Sequence, residues 1–206
     1  MKITYAITVC DEIVELKSLL NTLFEEEIDV KHEIVILHDV SKSNEEMEEY
    51  LDFLSQNSFV KVFERPLQND FAKFKNNLLE ISSGEYIFQI DADEIPSENI
   101  LKYLEYILEE NSDIDCFKVP RRNIVKGITQ EHLKKWGWRM DENGYINPFD
   151  PQFRLFKNNK QIFWKNPVHE VLVGYKRLSM LPNDFFLWHI KTIEKQELQN
   201  NFYEKI

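Results

Sequence analysis

One segment, residues 84–96, constrains this chain more than any other part of the sequence. An apolar run over residues 86–90 leads directly into three carboxylates, Asp91, Asp93 and Glu94. The run predicts a buried strand, and ligands bind at the carboxyl ends of strands in open α/β sheets. Adjacent carboxylates repel one another and are costly to desolvate, whereas a divalent cation removes both costs. The segment therefore predicts a site for a metal ion and phosphate. The alternative is an ordinary helix start that the acidic residues favour.

The first half of the chain alternates strand and helix patterns. Apolar runs predict strands at residues 3–9, 33–38, 59–63, 85–90 and 115–119. Helical patterns follow the first four of these runs, and the expected starts are Asp11, Ser43, Asn69 or Asp70, and Ser97. Such alternation predicts an α/β fold with a mostly parallel sheet and right-handed crossovers.

The second half changes character near residue 120. The periodicity fades over residues 120–151, which predicts irregular loops carrying basic and aromatic side chains, among them Trp136 and Trp138. These two rings either stack on a sugar or belong to the core. Strand patterns return at residues 152–156, 168–173 and 185–190, and a last helix is expected near Thr192.

Composition narrows the class of ligand. The formal net charge of −11 argues against a nucleic-acid backbone binder. The five glycines are far apart, so both a dinucleotide-binding glycine turn and a P-loop are absent from the sequence. Phosphate would then be held by side chains or a metal. The two cysteines, Cys10 and Cys116, imply no disulfide framework and fit a reducing compartment. No signal peptide or membrane span is expected, so we expect a cytoplasmic protein.

The order of these motifs resembles that of family 2 glycosyltransferases, which have the GT-A fold. The segment GEYIFQIDADE at residues 84–94 closely matches the family's strand and Asp-x-Asp metal motif. The second strand ends in His38-Asp39, similar to the family's turn that contacts the nucleobase. Lys75-Asn76 stands where the family often has Arg-Asn. Residues 152–156 and 168–170 resemble a subgroup that includes lipopolysaccharide-core and peptide glycosyltransferases.

This resemblance implies a Rossmann-like central sheet flanked by helices, with a small C-terminal acceptor-side lobe. Residues 1–119 would form the half that binds the nucleotide sugar, and residues 120–206 the acceptor-side half of the same domain. The implied reaction is a metal-dependent transfer from a nucleotide-diphosphate sugar, with a UDP-sugar favoured and with inversion. Manganese or magnesium is the implied ion. The implied acceptor is a carbohydrate, lipid-linked or peptide molecule, and a lipid-linked one would bring the protein to the inner membrane face.

The resemblance also implies roles for individual residues. The expected metal ligands are Asp93, Asp91 and His189, although His189 is alternatively a satisfied histidine beside a core strand. The catalytic base is expected to be Glu170, or else Asp150, and Glu170 is alternatively an exposed residue on an edge strand. Asp39 is alternatively an ordinary turn residue. The expected donor contacts are Thr8, Glu12, Asp39, Lys75, Asn76, Asp91, Arg154 and His169.

Two other functions compete with glycosyl transfer. A nucleotidyltransferase shares the α/β architecture and the carboxylate-bound metal, but it would usually carry glycine and basic residues after its first strand. Residues 8–12, Thr-Val-Cys-Asp-Glu, contain neither. The second competitor is a catalytically silent module that binds a sugar or nucleotide, against which the acidic residues Asp91, Asp93 and Glu170 argue.

Overall fold

The computed structural model describes residues 1–26, 29 and 31–203. Strands and helices alternate through the first half of the chain as the periodicity predicts. In chain order this half contains β1 (Ile3–Val9), α1 (Ile13–Glu25), β2 (Glu33–Asp39), α2 (Glu45–Ser55), β3 (Val60–Arg65), α3 (Phe71–Ile81), β4 (Tyr86–Asp91), β5 (Glu94–Pro96), α4 (Glu98–Glu110) and β6 (Cys116–Val119). The second half contains β7 (Arg121–Lys126), α5 (Gln130–Trp136), β8 (Gln152–Lys157), β9 (Phe163–Lys165), β10 (Val171–Val173), β11 (Leu178–Met180), β12 (Leu187–Thr192) and α6 (Ile193–Tyr203).

A seven-stranded sheet in the order β11-β6-β8-β4-β1-β2-β3 forms the centre of the molecule. Strand β1 pairs in parallel with β4 on one side and with β2 on the other, and β2 pairs in parallel with β3. Strand β8 is antiparallel to both β4 and β6. The chain runs outward from β1 to β2 and β3 on one side, and then returns to β4 on the other. This reversal opens a crevice at the carboxyl ends of β1 and β4, where α/β sheets bind ligands.

Each face of the sheet is covered by apolar side chains. One face packs against α1, α2 and α4 through residues such as Leu16, Leu51 and Leu104, and the other packs against α3 through Phe74 and Leu78. The mixed α/β fold with a mostly parallel sheet is therefore confirmed. No helix of the described residues is both long and apolar enough to cross a membrane.

A three-stranded sheet, β5-β12-β7, lies beside the crevice. Strand β12 pairs antiparallel with β5 and parallel with β7, so that His189 stands opposite both Glu94 and Asn123. Strand β5 begins three residues after Asp91, the last residue of β4. The small sheet therefore brings side chains of the second half against the acidic end of β4.

Glycine at position 84 has a steric reason. A Cβ atom there would lie 2.5 Å from the backbone nitrogen of Thr4, because the segment before β4 passes directly over β1. The Gly84 backbone N–H also donates to the Thr4 hydroxyl at 2.9 Å. The first residue of the Gly-Glu-Tyr segment is thus required by packing, two residues before the strand that leads to the site.

Several sequence expectations for the second half were wrong. Residues 120–151 are not uniformly irregular, since they contain β7 and α5. Strand β7 contains several polar residues and α5 has only seven residues, so neither shows a clear apolar periodicity in the sequence. Only Val171–Val173 of the expected 168–173 strand is extended in a sheet, where it pairs with β9. The expected strand at 185–190 is β12, which begins and ends two residues later.

The helix starts were predicted with mixed success. Asp70 caps α3 by accepting a hydrogen bond from the Lys73 N–H, as expected. Asp11 does not cap α1, because Glu12 occupies the N-cap position and its carboxylate accepts instead from the Cys10 N–H. Helix α2 is capped by Asn44 rather than Ser43. A helix period locates the body of a helix, whereas neighbouring polar residues compete for its cap.

Candidate active site

A cavity of about 650 Å³ lies at the carboxyl ends of β1, β2 and β4. Its volume is in the range of small-molecule binding sites. Both halves of the chain contribute to its walls. The expected site residues that line it are Thr8, Glu12, Asp39, Lys75, Asp91, Asp93, Asp150, Arg154, His169, Glu170 and His189.

Asp91 is held by three neighbours at the end of β4. The Thr8 hydroxyl donates to its Oδ1 at 3.0 Å, and Arg154 Nη2 donates to its Oδ2 at 2.5 Å. Lys75 Nζ lies 3.7 Å from Oδ1. Burial by itself would raise the pKa of Asp91, but the positive charges of Arg154 and Lys75 outweigh it and hold that pKa well below its usual value. Asp91 is therefore an oriented anion.

Asp93 faces the small sheet. Its Oδ2 lies 3.4 Å from His189 Nε2 and 3.1 Å from Lys191 Nζ. Burial would raise the pKa of Asp93, but the hydrogen bonds and charges of these two neighbours hold it well below the usual value. Sequence reasoning did not identify Lys191, because a lysine two residues after an expected ligand shows no pattern of its own.

Asn123 determines the proton position on His189. The side-chain nitrogen of Asn123 donates to Asp150 Oδ2 at 2.8 Å, because an ionised carboxylate can only accept. The side-chain oxygen of Asn123, Oδ1, must therefore face His189. That oxygen lies 2.6 Å from His189 Nδ1, which therefore carries the proton. Nε2 is then the ring nitrogen that faces Asp93: it donates to the carboxylate when it carries a proton, and it offers its lone pair to a cation when it does not.

A buried charge network joins the two halves. Glu94 has a fully buried side chain, and it accepts hydrogen bonds from Arg154 at 2.8 Å and from Arg121 at 3.1 Å. Arg121 in turn donates from Nε to Asp150 at 2.8 Å. Glu94 was assigned to the acidic cluster from the sequence, but it pairs with arginines and does not line the cavity. It positions Arg154 and Arg121, which both do.

The end of β2 forms a second polar wall. Asp39 Oδ1 accepts from the Ser41 and Leu67 backbone N–H groups at 3.0 and 2.9 Å. Burial would raise the pKa of Asp39, but these hydrogen bonds outweigh it and lower that pKa. The Cys10 thiol is also bonded to Asp39, and its own pKa is raised to about 12, by burial first and then by neighbouring carboxylates. Glu12 is protected from water in the same region, and burial raises its pKa.

Glu170 and Lys75 meet across the cavity. Lys75 is buried, its Nζ lies 2.5 Å from Glu170 Oε1, and the same ammonium stands 4.8 Å above the Trp164 ring. Glu170 Oε2 accepts no hydrogen bond from the residues that the structure describes. His169 precedes it with a φ of 54°, which turns the chain so that both side chains reach the cavity.

Asp150 is more tightly held than Glu170. Its Oδ2 accepts from Arg121 and Asn123, and its Oδ1 accepts from Gln152 at 2.5 Å. Burial would raise the pKa of Asp150, but Arg121 and these amide hydrogen bonds lower it. A carboxylate with this many donors is a weak proton acceptor.

The structure does not bring every expected residue to the cavity. Asn76 lies outside the lining, and its amide group is bonded at both ends to the backbone of Trp164, at 2.8 Å each. Trp138 lines the cavity, whereas Trp136 does not; the two rings lie 4.8 Å apart. Of the two rings, only that of Trp138 is placed where it could contact a sugar in the cavity, while the Trp136 ring stacks on His132 of α5.

Comparison with known proteins agrees with this geometry. The model of "Glycosyl transferase family 2" matches residues 4–170, which extend from β1 to Glu170. The chain belongs to glycosyl transferase family 2. It has the α/β GT-A fold, and the resemblance seen in the sequence is confirmed at the level of the family.

Solved structures of S. aureus TarS have a similar fold. The structure of TarS 1–349 has a TM-score of 0.66 and 15% identity, over 92% of this chain and 60% of that one. A second structure of the same fragment, in complex with UDP-GlcNAc, has a TM-score of 0.66 and 16% identity over 93% of this chain and 59% of that one. The chain thus spans about 60% of the length of those TarS fragments.

The residues around Asp93 fit a divalent cation that has only a few protein ligands. No group of three or more His, Cys, Asp or Glu side chains within the described ranges is arranged to hold an ion. However, Asp93 and the Nε2 atom of His189 face each other at 3.4 Å, and Asn123 fixes the histidine tautomer that a metal ligand requires. Magnesium and manganese typically take one or two carboxylates, with substrate phosphates and waters completing the shell.

Proposed function

We propose that this glycosyltransferase transfers a sugar from a nucleotide-diphosphate donor, with a UDP-sugar favoured, to a hydroxyl acceptor with inversion. The main support for this proposal is that Asp39, Asp91 and Asp93 line one cavity together with Glu170. The first three would bind the donor and its cation. The fourth would act on the acceptor.

The donor would lie along the ends of β1, β2 and β4. The hydrogen bonds from Ser41 and Leu67 to Asp39 all end on Oδ1, which supports a role for Oδ2 in accepting the N–H of a uracil-like base. Asp91 is an oriented anion that would accept a hydrogen bond from the ribose. TarS has been solved with UDP-GlcNAc and with UDP, which supports a uridine nucleotide here.

Asp93 and His189 would hold manganese or magnesium together with the donor phosphates. When bound, such an ion neutralises negative charge as the diphosphate leaves. Asp93 is suited to this because it stays ionised, and His189 because Asn123 keeps the proton on Nδ1.

Glu170 would be the base. Its Oε2 is the carboxylate oxygen without a described donor, whereas both oxygens of Asp150 are already engaged. As the acceptor oxygen attacks the anomeric carbon, its proton passes to Glu170. The bond from that carbon to the diphosphate oxygen breaks on the opposite face, which inverts the configuration. Lys75, 2.5 Å from Oε1, would orient the Glu170 carboxylate before the transfer.

A thermal-shift titration tests the donor site. UDP, GDP and dTDP are added to the wild type, Asp93→Ala and Asp52→Ala, with and without MnCl2. Ligands that bind only the native state raise the Tm by mass action. We expect a rise with UDP that requires manganese in the wild type and in Asp52→Ala, an exposed control on α2, and no such rise in Asp93→Ala. An equal manganese-dependent rise in Asp93→Ala would contradict the metal assignment.

A further inference from the structure

Lys191 is a buried cation on the wall of the active-site cavity. Its side chain is only 6% exposed, and it stands near the end of β12, just before α6 begins. Its ammonium lies 3.1 Å from Asp93 Oδ2 and donates to Gln199 Oε1 at 2.8 Å. Both Lys191 and Gln199 line the cavity. An ammonium has three N–H groups, so one of them has no hydrogen-bond acceptor within the described part of the chain.

The pairing of Lys191 differs from that of the other buried cations at the site. Each of those contacts two carboxylates: Arg154 bonds to Asp91 and Glu94, Arg121 to Glu94 and Asp150, and Lys75 lies near Glu170 and Asp91. Lys191, by contrast, contacts the single carboxylate Asp93. That carboxylate is also the expected metal ligand. Lys191 and a divalent cation would therefore compete for the same oxygen atoms.

We propose that Lys191 is an internal cation: it neutralises Asp93 before the ligands bind, and it contacts the donor diphosphate once a divalent cation takes its place at Asp93. This inference rests on the proposed donor site. A divalent cation repels an ammonium at the same carboxylate, and a buried ammonium needs a new anion when it leaves the old one. The diphosphate supplies that anion. The flexible four-carbon stem of lysine permits the change of partner, and α6 anchors it through Gln199.

This role requires two effects of opposite sign when the charge is removed. Without Lys191, manganese alone should bind Asp93 more tightly, because a competing positive charge is gone. UDP in the presence of manganese should bind more weakly, because a charge-assisted contact to the diphosphate is lost. A lysine that only stabilises the fold would not separate the two affinities in this way.

The test uses Lys191→Met, which keeps an unbranched side chain without the terminal ammonium, and Lys195→Met as a matched control on α6. Lys195 pairs with Glu15 at 2.8 Å and does not line the cavity; its charge acts on Asp93 only through space, so it controls for the loss of a nearby positive charge without a contact. Manganese binding is titrated by the loss of the free-ion electron paramagnetic resonance signal, and UDP binding at saturating manganese by calorimetry. We expect the manganese Kd of Lys191→Met to fall about tenfold and the UDP Kd to rise about tenfold, the size of one hydrogen bond to a charged group. Lys195→Met should keep both values within about twofold.

Three outcomes decide the question. Opposite shifts in Lys191→Met, with Lys195→Met unchanged, support the proposal. Weaker binding of both ligands, or no change in either, overturns it while leaving the donor site intact. If the wild type binds no UDP with manganese, the proposed function itself fails, and the inference fails with it. Lys191→Gln, which keeps N–H donors without the charge, should show the same two opposite shifts and provides a second variant if Lys191→Met does not fold.

Discussion

Replacing Arg154 with methionine should destabilise the protein by disconnecting the two halves of the site. The guanidinium, with a side chain only 4% exposed, donates from Nε to Glu94 Oε2 at 2.8 Å and from Nη2 to Glu94 Oε1 at 2.8 Å. The same Nη2 donates to Asp91 Oδ2 at 2.5 Å. Methionine fills a similar apolar volume but donates no hydrogen bond. Glu94, whose side chain is fully buried, would keep Arg121 as its charged partner at 3.1 Å.

The size of the effect follows from this burial. Removing one partner of a buried ion pair costs about 3–5 kcal/mol, because the other charge stays desolvated. Globular domains have a total free energy of unfolding of about 5–15 kcal/mol, so the loss is a large share. For a chain of this length it corresponds to a fall in Tm of roughly 6–20 °C.

The assay is urea unfolding at pH 7, followed by tryptophan fluorescence, on Arg154→Met, Glu94→Gln and the double variant. Because the double variant no longer leaves an ionised Glu94 in the core, it should be more stable than Arg154→Met alone. A loss below about 1 kcal/mol in Arg154→Met would refute the reasoning. So would a double variant whose loss equals the sum of the two single losses, since that would show that the two charges do not interact.

Two further predictions concern the other carboxylates. Glu170→Gln should keep the affinity for UDP and lower the rate of UDP release from a UDP-sugar by at least about 100-fold, whereas Asp150→Asn should lower it less than about tenfold; equal losses in the two variants would remove the distinction between them. Glu33 accepts hydrogen bonds from Lys61 and Lys2 at 2.8 and 2.9 Å, and although burial opposes this, its pKa is held far below the unfolded value. A lowered folded pKa adds stability above the unfolded value of about 4.3 that disappears as the pH falls through the folded pKa. The wild type should therefore be more stable than Glu33→Gln at pH 7, and the gap in unfolding free energy should narrow from about pH 5 downward; a gap constant from pH 7 to pH 3 would contradict this.

Local patterns were enough to predict the first half of the fold. Strands β1 and β4 are short apolar runs that end in polar residues, and parallel strands bring such ends to one edge of a sheet. Thr8 and Asp91 were both named as expected donor contacts, and they are neighbours in register with a hydrogen bond of 3.0 Å. Helix α3 was recognised from its period and its Asp70 cap.

The second half was harder to predict because its elements are short and depend on partners distant in the sequence. Strand β7 is extended because it pairs with β12, more than 60 residues later, and neither strand alternates cleanly between apolar and polar residues. Asn76 shows the same dependence on distant partners. It occupies a position that the family resemblance implies for donor binding, yet its amide group is taken up by the backbone of Trp164.

The sequence alone determined the class of the protein, because the strand before Asp91 and the spacing of Asp91 and Asp93 are properties of one continuous segment. Tertiary structure alone decided how those carboxylates are charged and held. Arg154 and Lys191 reach them from strands about 60 to 100 residues away, and Asn123 orients His189, which faces Asp93. Interactions between charges depend on distance and burial, and neither quantity can be read from the order of residues along the chain.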